Sequence, residues 1–156
     1  MRKKESTDLF TSCLREVQIS YSNRVRYADM PKVNSSKDAE GILRSIWSHR
    51  MGYVEEFYVL LLNRANKVIG WTKVSMGGPS GTLSDPKVIF QTALKANASH
   101  IILAHNHPSS NLEPSQADIN LTQKMKESGN FLDLPVLDHL ILSTESYYSF
   151  ADDGKL

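Results

Sequence analysis

The sequence lacks the features that mark several large classes of protein. It has a single cysteine, Cys13, so no disulfide can form within the chain, which fits a reducing compartment such as the cytoplasm. No apolar run reaches the roughly 18 residues that a membrane-spanning helix needs. The charged start, residues 2–5, is not followed by the apolar stretch found in signal peptides. We therefore expect a cytoplasmic protein without a membrane segment.

The sequence also lacks an excess of charge of either sign. Its 18 Lys and Arg residues nearly balance 17 Asp and Glu residues, which leaves a net charge of +1. Proteins that bind the phosphate backbone of nucleic acids usually carry a basic patch or a basic excess. This composition therefore predicts no strong binding to nucleic acid. With 156 residues, 40% hydrophobic and 22% charged, the chain suits a single globular domain with a sizeable core.

The pattern that is present is an alternation of helices and strands after residue 35. Residues 1–35 are harder to assign, although residues 16–21 alternate in the manner of an edge strand, and we treat 1–35 as an N-terminal extension of a domain over 36–156. Interleaved helices and strands predict an α/β or α+β domain with three layers. Apolar periodicity predicts helices over residues 36–50, 86–97 and 114–128, and strands over 55–63, 68–75, 100–104, 136–143 and 147–150.

Two of the predicted helices have ends that the sequence marks. The first is expected to end near residues 50–52, where Gly52 follows Met51. Gly129 is expected to end the helix that begins at Pro114, because glycine is the usual residue just beyond a helix. The buried stripe of that helix is predicted to consist of Ala117, Leu121 and Met125.

The most informative stretch is IILAHNHPSSNLEPSQAD, residues 101–118. Residues two apart on an extended chain point to the same side, so His105 and His107 are expected to converge while Asn106 points away. Ser115 and Asp118 are three apart at a helix start and share a helical face. Two imidazoles and one carboxylate suit a borderline cation such as Zn²⁺, with the fourth position left to water.

Each half of this pattern also has an ordinary structural interpretation. A His-x-His pair alone is weak evidence for a metal, and Ser115-x-x-Asp118 is a plain helix-capping pattern. A second polar pair, Asp138-His139, lies in a predicted buried strand. Adjacent strand residues point to opposite faces, so we interpret this pair as hydrogen-bonded groups in or near the core.

The ordered combination resembles a known family. The spacing His105-x-His107-(x7)-Ser115-x-x-Asp118 resembles the JAMM (MPN+) metalloprotease motif, and the words HNHPS, EPSQAD and LDHLIL resemble its bacterial RadC-like branch over residues 36–150. The resemblance implies a mixed sheet between helices, similar in layout to cytidine deaminases. It also implies a zinc-dependent hydrolase of peptide or isopeptide bonds, acting on a protein or peptide substrate.

The resemblance assigns roles to five residues. His105, His107 and Asp118 would hold one Zn²⁺ per chain, Glu55 would act as the general base, and Ser115 would donate a hydrogen bond to the oxyanion of the tetrahedral intermediate. The neighbouring Glu56 is the alternative base, since hydrophobicity does not distinguish the two faces of its strand. We expect the other carboxylate to lie across the sheet, exposed or paired with a cation.

The sequence departs from the RadC-like pattern at Ser110, where the family usually has glycine after HNHPS. We expect the turn to shift to Asn111, which tolerates a positive φ better than serine does.

Three other functions compete with the hydrolase. A zinc nucleoside deaminase would need P-C-x-x-C, which a chain with one cysteine cannot supply. A scaffold of the same fold without proteolytic activity and a DNA repair-associated protein, after the family's old label, remain as alternatives.

Overall fold

The computed structural model describes residues 25–77 and 85–156. The predicted edge strand at residues 16–21 lies outside these residues. Within them the chain forms a mixed five-stranded sheet in the order β2-β1-β3-β4-β5, flanked by α-helices. The elements are α1 (Ser36–Ile46), β1 (Glu56–Leu62), β2 (Val68–Met76), α2 (Pro86–Lys95), β3 (His100–Asn106), α3 (Gln116–Phe131), β4 (Val136–Leu142) and β5 (Tyr147–Ser149).

The strand directions bring the end of β3 and the start of α3 to one edge of the sheet. β1 is antiparallel to both β2 and β3, and β4 is antiparallel to β5. β3 and β4 are parallel, and α3 is the crossover between them. A side chain at the C-terminal end of β3 can therefore meet one in the first turn of α3.

Helices cover both faces of the sheet, as predicted for a three-layer α+β domain. α1 packs on the face made by alternate residues such as Tyr58, Leu60 and Leu140. α2 and α3 pack on the opposite face, against Val59, Leu103 and their neighbours. Because the central strands are apolar on both faces, both layers of helix are needed to bury them. No helix in the described ranges combines the length and the apolar character needed to cross a membrane.

The helix starts follow the capping signals in the sequence. Ser35 caps α1 by accepting from the Asp38 amide, and Asp85 caps α2 by accepting from the Lys87 amide. Ser115 caps α3 in the same way, through the Asp118 amide. Each cap satisfies an amide that has no partner inside its helix.

The predicted ends of two helices are wrong. α1 ends at Ile46, about one turn early, because Trp47 becomes extended and its ring packs 4.2 Å from that of Tyr58. α3 continues through Gly129 to Phe131. A Cβ at Gly129 would lie 2.6 Å from the carbonyl oxygen of Leu134. This glycine therefore allows the returning chain to approach the helix closely and does not end the helix.

The buried stripe of α3 also differs from the prediction. Met125 is buried and Leu121 is partly buried, but Ala117 is exposed. The inward face instead includes Thr122 and Gly129. Thr122 is a polar residue at a core position, which was not expected.

Candidate metal centre

The end of β3 separates its polar side chains as the strand geometry predicts. His105 and His107 point to one side, with their Nε2 atoms 3.0 Å apart. Asn106 points to the other side and is buried. Its amide donates to the carbonyl oxygens of Met51 (2.7 Å) and Val54 (2.9 Å), and its Oδ1 accepts from the Glu56 amide (2.8 Å). The Asn106 side chain therefore holds the backbone at the start of β1 in place through three hydrogen bonds.

The first turn of α3 brings Asp118 to the two imidazoles. Its Oδ1 lies 3.2 Å from His105 Nε2, and its Oδ2 lies 3.6 Å from His107 Nε2. Ser115 and Asp118 also form a full capping box, in which Asp118 Oδ2 accepts from the Ser115 amide at 2.7 Å. The Ser115 hydroxyl donates to the same oxygen at 2.6 Å. Asp118 thus takes part in the cap of α3 and also faces the two histidines.

These three residues have the donor set and spacing of a metal site. One ligand atom from each of His105, His107 and Asp118 lies within 4.8 Å of the others, and no other such group occurs in residues 25–77 and 85–156. His107 Nδ1 lies 2.6 Å from the Asn111 carbonyl oxygen, which can only accept a hydrogen bond. Nδ1 of neutral His107 therefore carries the hydrogen, and Nε2 presents a lone pair to the site. These donors fit a borderline cation.

The carboxylate of Asp118 and the imidazole of His107 shift each other's pKa. Burial alone would raise the pKa of Asp118, but the His105 and His107 imidazoles, which donate to its carboxylate when their Nε2 atoms are protonated, outweigh it and hold that pKa far below its usual range. The hydrogen bond to Asp118 raises the pKa of His107 above its ordinary value, with smaller contributions from the Asn111 carbonyl and the Glu55 carboxylate. Positive charge is therefore favoured where the three side chains meet.

The two candidate glutamates lie on opposite sides. Glu56 is fully buried on the face away from the histidines, where Lys73 Nζ lies 3.0 Å from its carboxylate and the Ser48 hydroxyl donates to it at 2.6 Å. Glu55 is partly buried and lines an open pocket beside the centre. The other residues that line the pocket are Tyr53, His107, Pro108, Ser109, Asn111, Glu113 and Ser115.

The expected shift of the turn to Asn111 is wrong. Ser110 itself adopts the left-handed conformation, with φ of 63°, and its amide donates to the His107 carbonyl. Asn111 is fixed by other contacts, because its carbonyl accepts from His107 Nδ1 and its side-chain oxygen accepts from the Glu113 amide. The positive φ is therefore at Ser110, where a non-glycine residue is strained, and Asn111 contacts His107.

The structure adds two residues, His139 and Thr122, that the sequence pattern did not assign to the site. Asp138 and His139 do point to opposite faces, as predicted, and Asp138 accepts from the Ser149 hydroxyl and the Ala151 amide. His139, however, lies behind the centre, with Nε2 2.9 Å from His105 Nδ1. Thr122 contacts the other nitrogen of His139 at 2.6 Å. The signal available in the sequence was the Asp138-His139 pair in a predicted buried strand, which we interpreted as hydrogen-bonded groups in or near the core.

The comparisons with known proteins agree with this geometry. The profile of the RadC-like JAB domain matches residues 33–155. Similar proteins include UPF0758 proteins from Flavobacterium johnsoniae (46% identical over 125 residues, 80% of this chain and 54% of the relative), Porphyromonas gingivalis (40% over 137 residues, 86% and 60%) and Rubrobacter xylanophilus (38% over 128 residues, 81% and 54%). The chain spans a little over half the length of these curated relatives. The extent of the match and the convergence of His105, His107 and Asp118 lead to one conclusion: this chain belongs to the RadC-like JAB domain family.

Proposed function

We propose that the protein is a zinc-dependent hydrolase that cleaves peptide or isopeptide bonds. The observation that carries the proposal is the convergence of His105, His107 and Asp118 beside an open pocket that a further carboxylate, Glu55, also lines. Two imidazoles and one carboxylate are a known ligand set of catalytic zinc. When bound, zinc supplies Lewis-acid chemistry, which polarises a carbonyl and acidifies water.

The proposed base is Glu55. It lines the same pocket as His107 and Ser115, whereas Glu56 is held on the other face by Lys73 and Ser48. In hydrolysis of an amide, one carboxylate can take the proton of the attacking water and return it to the leaving amine. The position of Glu55 at the pocket wall supports this role over Glu56.

The proposed oxyanion donor is Ser115. Its side chain is exposed and lines the pocket, and its hydroxyl donates to Asp118 Oδ2 in this structure. To serve the reaction, that hydroxyl must exchange its bond to Asp118 for one to the developing oxyanion of the substrate. The backbone amide of Ser115 would still hold Asp118 in place.

A protein or peptide suits this chain better as substrate than nucleic acid does. The pocket is open, and its walls combine acidic and neutral polar side chains with Tyr53 and Pro108. The whole chain has a net charge of only +1, so it offers little electrostatic attraction for phosphates. Mobility-shift titrations with duplex DNA at physiological salt should therefore show no sharp complex at micromolar protein. A submicromolar complex would favour the DNA-associated alternative.

Metal analysis followed by a substrate screen tests the proposal. The protein purified without chelator should contain about one zinc per chain, and His107→Ala should lose it. His49→Ala is the matched control, because His49 is exposed and outside the site. If His107→Ala keeps zinc as tightly as the parent protein, the assignment of the site is wrong. Zinc-loaded protein that cleaves none of a set of peptides and isopeptide-linked conjugates would favour the scaffold alternative.

A further inference from the structure

Behind the candidate centre, three side chains form a continuous hydrogen-bonded chain. His105 Nδ1 lies 2.9 Å from His139 Nε2, and His139 Nδ1 lies 2.6 Å from Thr122 Oγ1. Thr122 Oγ1 in turn lies 2.6 Å from the backbone carbonyl oxygen of Asp118. All three side chains are at least 98% buried. The chain of contacts therefore begins at one candidate ligand and ends on the backbone of another.

The direction of each hydrogen bond follows from the Asp118 backbone carbonyl at one end of the chain, which can only accept. The Asp118 carbonyl only accepts, so the Thr122 hydroxyl must donate its single hydrogen to it. Thr122 Oγ1 can then only accept from His139, which places the hydrogen of His139 on Nδ1. Neutral His139 consequently has a lone pair on Nε2, and His105 must donate to it through Nδ1. When His105 is neutral, its remaining nitrogen, Nε2, therefore faces the centre with a lone pair.

We propose that Thr122 and His139 are positioning residues that fix the tautomer of neutral His105, so that its hydrogen is on Nδ1 and its Nε2 is the nitrogen that can act as a ligand. This inference rests on the proposed metal site for its purpose, but the tautomer is a property of the metal-free protein. His107 is set independently, by the Asn111 carbonyl. Asp118 contributes twice, since its carboxylate faces the centre and its carbonyl fixes the hydrogen-bond direction.

A purely structural role for these residues predicts different behaviour. The His139 ring packs face to face with Phe150 at 5.0 Å and lies 5.6 Å from Phe57, so it also fills the core. If His139 only filled the core, removal of the Thr122 hydroxyl would change neither the tautomer of His105 nor the zinc affinity. Thr122→Val keeps the branched shape of the side chain and removes only that hydroxyl. Thr122→Ser keeps the hydroxyl and is the matched control.

The test measures the tautomer and the zinc affinity separately. Side-chain ¹⁵N–¹H correlation spectra of the metal-free protein at alkaline pH, assigned with His105→Ala, should show the hydrogen of His105 on Nδ1 in the parent and in Thr122→Ser. Thr122→Val should show a mixture of tautomers. Competition with a chromophoric chelator should give about tenfold weaker zinc binding for Thr122→Val than for Thr122→Ser. A parent His105 with its hydrogen on Nε2, or no difference between the two variants in both measurements, would overturn the inference.

A second pair of variants guards against misfolding of Thr122→Val. His139→Gln offers His105 an amide oxygen as acceptor, whereas His139→Phe keeps an aromatic ring between Phe57 and Phe150 but offers no acceptor. His139→Gln should therefore retain more of the Nδ1 tautomer than His139→Phe does, and equal tautomer populations would contradict the inference. If the tautomer behaves as expected but the parent binds no zinc, the proposed function fails while the positioning role stands.

Discussion

Two polar clusters lie on opposite faces of the sheet, and they differ in how their polar groups are satisfied. On one face, Glu56 is neutralised by Lys73 and hydrogen-bonded by Ser48, and all of the Asn106 contacts go to backbone groups. On the other face, the lone pair of His107 and the carboxylate of Asp118 point at the same small volume as His105. The first cluster is saturated by the protein itself, whereas the second is unsaturated, because its acceptors face a position that only a proton or a cation would satisfy.

The way in which the polar groups are satisfied distinguishes a structural cluster from a candidate functional one more clearly than burial does. A buried polar group costs free energy unless it is paired, so a saturated cluster needs nothing further. A cluster of acceptors that face one another is unfavourable unless a proton or a cation lies between them. Both clusters use the same local sequence, since His105, Asn106 and His107 alternate between the two faces.

The largest expected effect is on catalysis, from Glu55→Gln. The change removes the proposed proton acceptor while keeping nearly the same shape, so hydrolysis should fall by about 10²- to 10⁴-fold with zinc content and fold retained. Glu113→Gln is the matched control, because Glu113 lines the same pocket and has no assigned role. Steady-state kinetics with a cleavable peptide measure both. Equal activity of Glu55→Gln and the parent would remove Glu55 from the mechanism.

Removing a charge from the saturated cluster should lower the stability of the protein and leave metal binding unchanged. Lys73→Met leaves the fully buried Glu56 carboxylate with the Ser48 hydroxyl but without its cation. The free energy of unfolding should fall by up to about 3 kcal/mol, reduced because Lys73 is partly exposed to solvent. Urea denaturation measures this change, and zinc titration should give the affinity of the parent. A loss of zinc affinity of the same size would show that the two clusters are not independent.

The unsaturated cluster should bind metal less tightly as pH falls. The proposed zinc would compete with a proton for His107 Nε2, and the hydrogen bond to Asp118 raises the pKa of His107 above its ordinary value. Protonation therefore begins to oppose zinc at a higher pH than it would for an isolated histidine. Below that raised pKa, the affinity should fall by about tenfold per pH unit for each proton displaced. Isothermal titration across neutral pH checks the slope, and an affinity that rises on acidification would contradict it.

The smallest effect should come from removing the metal. The two apolar layers of the core contain none of the three candidate ligands, so the chain should still unfold cooperatively after chelation. The melting temperature should fall only modestly, because an ion that binds the native state alone stabilises it by mass action. Calorimetry with and without chelator measures the shift. Loss of a cooperative transition would mean that the ion is part of the core.

The features predicted well from the sequence were those encoded over short distances. His105 and His107 are two residues apart, and Ser115 and Asp118 are three apart, so strand and helix periodicity placed each pair on one face. The capping pattern Ser115-x-x-Asp118 and the alternation of helices and strands were local signals too. The same holds for the opposite faces of Asp138 and His139.

The features that were missed depend on contacts between distant segments. The early end of α1 follows from the packing of Trp47 on Tyr58, and the glycine inside α3 follows from the approach of Leu134. Thr122 and His139 meet only because α3 packs across β4. A pattern within one segment carries no information about such contacts.

The side chain of Asn106 has a consequence for the order in which the molecule assembles. Its partners at residues 51, 54 and 56 are at least 50 positions away in the sequence, so none of these bonds can form before β1 lies against β3. Long-range pairing of this kind is slow compared with helix formation. We therefore expect the wall of the pocket that carries Glu55 to become ordered late in folding. The Glu56 amide, which donates to Asn106 Oδ1, reports on that event, and pulse-labelling hydrogen exchange should show it protected after the amides of α1.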